Sequence, residues 1–80
     1  MGQTVGEMAL RVDPLMAEIV DHFTDEGNLT TGALVERTGK SRVTVTKRLD
    51  KLRAADCIEY VHEPTGLHRL VRDPRNDKDG

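Results

Sequence analysis

Apolar positions along this chain follow two rhythms, a helical one to about residue 55 and an alternating one after it. Met16, Ile19, Val20 and Phe23 stand at i, i+3, i+4 and i+7, the stripe of an amphipathic helix. Asp13-Pro14 precedes them as a helix start. Asp is a good cap, and Pro at the first helical position loses only an N–H that would be unpaired anyway. A first helix is expected over residues 14–25, with Glu18, Asp21 and Asp25 on its polar face and Gly27-Asn28 at its end. Leu29 is placed to pair briefly with a sheet. Thr30 caps a second helix over about residues 31–38, with Leu34, Val35 and Thr38 facing inward. Gly32 in its first turn is a mild cost that permits close packing. Gly39 takes the left-handed conformation that ends it. Ser41 then caps a third helix, residues 42 to about 55, with Val45, Leu49 and Leu52 on one face.

Asp56 follows where a glycine cap would be easier, and Asp tolerates the left-handed region better than most residues. The period then becomes two. Residues 57–62 read as a strand, Glu63-Pro64-Thr65-Gly66 as a turn, and residues 67–72 as the returning strand. Three parts are therefore expected: an N-terminal arm (1–12), in which Met8, Leu10 and Val12 alternate, a domain (13–73), and a charged, disordered tail (74–80).

Length and composition narrow this picture. Eighty residues make one domain with a modest core, and with Phe23 and Tyr60 the only aromatics that core is mostly aliphatic. Cys57 is the single cysteine, which rules out an internal disulfide and a cysteine-based zinc cage. No apolar run approaches membrane-spanning length and no signal peptide is visible, so a reduced, cytoplasmic location is expected.

Charge singles out the third helix. From residue 40 to 53 there are six cations, Lys40, Arg42, Lys47, Arg48, Lys51 and Arg53, against Asp50 alone, so the segment carries +5. The whole chain is −2, which leaves −7 on the rest. On a helical wheel Val43, Thr44, Lys47 and Lys51 lie opposite the apolar stripe, flanked by Arg42, Thr46 and Arg48. An ordinary solvated helix face is the plain reading of such a patch. Against it stand the small hydroxyl and methyl groups mixed with long cations at the helix's N-terminal half, which suit close approach to another surface. A short helix joined to it by a glycine turn completes a helix-turn-helix, whose second helix enters a DNA major groove.

At the residue level, Ser41-Arg42-Val43-Thr44-Val45, then Leu49 and Leu52, then Ala54-Ala55-Asp56-Cys57-Ile58-Glu59 resembles the recognition-helix-to-wing passage of small transcriptional regulators of the ArsR, MarR and Lrp-like kinds. The chain is most similar to short haloarchaeal and archaeal-virus repressor-like proteins, over about residues 13–73. The resemblance implies an α+β fold, a winged helix-turn-helix of three helices plus a C-terminal β-hairpin wing. It implies that Arg42, Val43, Thr44 and Lys47 meet base edges or nearby phosphates. Ser41, Thr46, Arg48 and Lys51 would lie near the sugar-phosphate backbone, and His62, Thr65, His68 and Arg69 at or near the wing. Two positions depart from the family pattern. Lys40 stands where an apolar residue usually packs under the turn, and would instead swing out to phosphate. Asp56 stands where Gly is usual.

His22, His62, His68 and Cys57 show no metal-ligand spacing, so surface or hairpin histidines and a small core cysteine are expected, with no cofactor. Serine occurs once, at Ser41, where capping explains it, and no catalytic arrangement is visible, so an enzyme is not expected. The expected function is a sequence-specific double-stranded DNA-binding regulator, a repressor, with a protein-interaction module using the same basic face on an acidic partner as the alternative. A homodimer on DNA is expected, joined through Met8, Leu10 and Val12 and the exposed edge of the first helix.

Overall fold

In a computed structural model the described residues are 10–75. Helix α1 spans Pro14–Glu26, one residue longer than expected. The Asp13 Oδ1 accepts the Met16 N–H at 2.8 Å, and the Gly27 N–H closes the far end on the Phe23 carbonyl at 2.8 Å. All four residues of its apolar stripe are buried. Helix α2 spans Thr31–Thr38 and helix α3 spans Arg42–Ala54. The Thr30 hydroxyl accepts the Ala33 N–H at 3.0 Å, and the Ser41 hydroxyl accepts the Thr44 N–H at 3.1 Å. Gly39 lies in the left-handed region at φ 72°, which turns the chain sharply between α2 and α3. Asp56 has φ 62°, the single positive value outside glycine among the described residues.

Strand β1 is Ile58–His62 and strand β2 is Leu67–Leu70, each shorter than the alternation suggested. They pair antiparallel, with Ile58 opposite Leu70, Glu59 opposite Arg69, Tyr60 opposite His68 and His62 opposite Leu67. The register shifts between Tyr60 and His62, so Val61 is an extra residue on β1. A single 3-10 turn, Glu63–Thr65, and Gly66 at φ 70° close the hairpin.

Leu29 fastens the hairpin to the helices. It exchanges backbone hydrogen bonds with His68 at 3.1 and 2.8 Å, and the Thr31 N–H donates to the Gly66 carbonyl at 3.2 Å. The fold is thus α+β, three helices followed by a two-stranded antiparallel hairpin, the arrangement of a winged helix. The core gathers Met16, Ile19, Val20, Phe23, Leu29, Leu34, Val45, Leu49, Leu52, Cys57 and Ile58.

Both ends of the described chain differ from expectation. Leu10 and Val12 are half-buried and packed against the core, while Met8 lies outside the described residues. The start of the expected tail is tied down, because Arg75 pairs with Asp21 at 2.9 Å and with Asp73 at 3.0 Å. The rest of that tail, residues 76–80, is not among the described residues.

Candidate nucleic-acid interface

Helix α3 projects its cations in two directions. Arg48 turns back to α1, where its Nε lies 2.9 Å from the Asp13 Oδ2. Asp13 thus caps one helix and pairs with another. Its carboxyl is held below its ordinary pKa first by the Met16 N–H and then by Arg48, against partial burial, which pushes it up. Arg53 turns toward the hairpin. Its guanidinium is 2.6 Å from Asp50, 3.0 Å from the His68 Nε2, and stacked 4.5 Å from the centre of the Tyr60 ring. These two arginines are occupied by the protein itself.

The other four cations of the segment are different. Lys40, Arg42, Lys47 and Lys51 are all exposed, and among the described residues none of them is in an ion pair. Arg42 lies along the first turn of α2, with a guanidinium nitrogen 3.6 Å from where a side chain on Gly32 would begin. Between these cations stands Val43, 65% exposed. Ser41 and Thr44 are engaged with each other: the Ser41 hydroxyl accepts the Thr44 N–H and donates to the Thr44 hydroxyl at 2.9 Å. Thr46 is exposed on the flank.

The hairpin residues separate in the same way. His62 and Thr65 are exposed at the turn and bonded to each other at 3.0 Å. Since the Thr65 hydroxyl donates to the His62 carbonyl, the His62 Nδ1–H is the donor between the side chains. Arg69 pairs with Glu59 directly across the ladder at 2.7 Å. His68 is not on the wing surface as expected: it is 1% exposed, in the interior. Its Nδ1 faces the Gly66 carbonyl at 2.8 Å and its Nε2 faces Arg53 at 3.0 Å. Only the neutral ring with its proton on Nδ1 satisfies both contacts. Burial lowers the pKa of His68 most; the Gly66 carbonyl raises it, Arg53 lowers it and Asp50 raises it.

Sequence reasoning missed this Arg53–His68–Tyr60 cluster. Counted back regularly from the His62–Leu67 pair, Val61 would face His68. The extra residue at Val61 brings Tyr60 there instead, its ring centre 4.5 Å from that of His68. The wing is also short. Its tip is hydrogen-bonded to the first turn of α2, so it does not stand free of the helices.

Among the described residues no group of three or more His, Cys, Asp or Glu side chains is arranged to hold a metal ion, and no helix is long and apolar enough to cross a membrane. Cys57 is fully buried at the base of the hairpin. No family model, curated protein or solved structure matches the chain.

Proposed function

We propose that the chain is a sequence-specific double-stranded DNA-binding regulator of the winged helix-turn-helix kind, acting in the cytoplasm as a repressor. One observation carries the reading. Helix α3 and the turn before it expose four cations, Lys40, Arg42, Lys47 and Lys51, that are in no ion pair among the described residues, while nearby Arg48 and Arg53 are paired with carboxylates. A chain of net charge −2 that leaves cations unpaired on one face is suited to a polyanion. Arg42, Val43 and Lys47 meet base edges or nearby phosphates and supply sequence choice, while Lys40, Thr46 and Lys51 lie along the sugar-phosphate backbone; Thr44, half-buried and bonded to Ser41, drops out of the base-reading set. At the hairpin the available groups are His62 and Thr65.

DNA recognition by a homodimer extends this reading, because one helix reads few base pairs and twofold symmetry doubles the site. The burial of Leu10 and Val12 argues against the arm as the contact between protomers. The alternative, an acidic protein partner on the same face, shares the salt dependence but not the competitor. The deciding experiment is selection of bound duplexes from a random pool, with arbitrary duplex as competitor. Enrichment of a defined site supports the reading. A pool that stays random, with no duplex bound at physiological salt, refutes it.

A further inference from the structure

We propose that Val43 reads the 5-methyl group of a thymine in the major groove; this deepens the reading of α3 as a DNA-recognition helix and rests on it. Val43 is the most exposed large apolar side chain among the described residues, at 65%, against 39% for Tyr60, 46% for Val61 and 48% for Val71. It is the second residue of α3, next to Arg42 and one turn before Thr46 and Lys47. Folding gives no account of it there. The apolar stripe of α3 is Val45, Leu49 and Leu52, and a β-branched residue at an exposed helical position adds neither core contact nor helix propensity.

The structure also removes a competitor for this role. Thr44, the other small side chain at the start of the helix, is half-buried and its hydroxyl is bonded to Ser41. Among the exposed groups on this side of α3, Arg42 and Lys47 are donors, Thr46 on the flank carries a hydroxyl beside its methyl, and Val43 alone is wholly apolar. The edges of base pairs in the major groove carry donors, acceptors and one apolar group, the thymine methyl. The exposed cations around Val43 suit a polyanion at this face, and where that polyanion is a duplex the isopropyl group selects the thymine methyl within it by desolvation.

The test uses the full chain and the duplex enriched from a random pool, with each thymine replaced singly by deoxyuridine. That change removes the methyl and keeps the hydrogen-bonding edge. The expected result is one thymine per half-site whose replacement weakens binding about fourfold, the worth of one methyl-sized group taken from water. Val43→Ala is expected to keep the thermal midpoint of the parent, to bind the thymine duplex as the parent binds the deoxyuridine duplex, and to show a thymine-to-uracil ratio near one. A parent indifferent to every replacement overturns the proposal while leaving DNA binding standing. So does a folded Val43→Ala that keeps the parent's ratio. If no duplex is bound by the parent at all, the DNA-binding reading fails and takes this one with it.

Discussion

Acid is expected to loosen the hairpin from the helices, and His68 is where it acts. A second proton on this ring has to go on Nε2, the atom 3.0 Å from the Arg53 guanidinium. Burial and Arg53 disfavour that proton, and they outweigh the Gly66 carbonyl and Asp50, which favour it; the pKa in the folded chain is lowered. The unfolded chain, with a histidine near ~6.5, therefore takes up the proton first. The contribution to stability is complete above about pH 6.5, falls as the pH drops below that value, and levels off once the folded ring titrates too. Burial is the first cause of the lowering and Arg53 a smaller one, whose scale follows from the contact. Two like charges ~4 Å apart repel by about 4 kcal/mol at an effective dielectric of ~20. Arg53 is partly solvated, at 28% side-chain exposure, and tied to Asp50, which reduces this to about 1–2 kcal/mol. For a domain of this size each kcal/mol moves the melting temperature by about 4–8 °C. A midpoint roughly 5–15 °C lower at about pH 5 than at about pH 7.5 is the expected result, from this site alone. Thermal melts across that range, read by circular dichroism, compare the parent with His68→Gln. Glutamine offers an N–H and a carbonyl oxygen to the same two partners but does not titrate, and His22 and His62 are common to both proteins. The variant starts less stable and loses less on acidification. Parallel decline of the two midpoints refutes the reasoning.

Three further outcomes are expected. Lys47→Glu abolishes duplex binding and changes stability by no more than about 0.5 kcal/mol, whereas Leu49→Ala loses about 2–5 kcal/mol through a cavity under α3; equal destabilisation by the two in denaturant titrations would mean the helix faces are wrongly assigned. If Lys40, Arg42, Lys47 and Lys51 each neutralise one phosphate, log K falls with log salt at about −3.6 per protomer, and Lys47→Ala reduces that slope by about 0.9 while Arg53→Met leaves it unchanged; a flat response excludes a phosphate-driven interface. Asp13→Ala removes the α1 cap and the partner of Arg48 together, and costs about 0.5–2 kcal/mol in chemical denaturation, with no loss at all as the contrary result.

How much of this was legible in the sequence depended on the range of the signal. The bounds of α2 and the start of α3 are local matters: Thr30, Gly39 and Ser41 set them through hydrogen bonds or dihedrals within three or four residues, so composition suffices. The left-handed Asp56 was readable for the same reason. The interior position of His68 was not, because it depends on one extra residue in β1 and on Leu29, a strand of a single residue that carries no period. The pairing of Arg48 was equally hidden. A helical wheel puts it on the flank of the basic face, but its partner Asp13 is 35 residues away. Leu10 and Val12 looked surplus to a three-helix core, yet they cover it. What the pattern missed in each case is a contact between distant segments.

The two occupied arginines bear on function through orientation. Arg48 ties the middle of α3 to the cap of α1, and Arg53 ties its last turn to the hairpin, where His68 and Leu29 continue the connection to the start of α2. The buried stripe Val45, Leu49 and Leu52 sets the rotation of α3 about its own axis, and the two arginine contacts reinforce it, so Arg42, Lys47 and Lys51 point away from the body of the domain. That direction matters more here than on a uniformly basic protein. Outside residues 40–53 the chain carries −7, so turning the domain over on a polyanion replaces attraction by repulsion. A mutation at Arg48 therefore differs in kind from one at Lys47. Arg48→Met removes no charge that faces outward freely, but releases α3 from α1. Its effect on duplex affinity, beyond the change in net charge, measures how far the recognition surface depends on being held rigidly against the body of the domain.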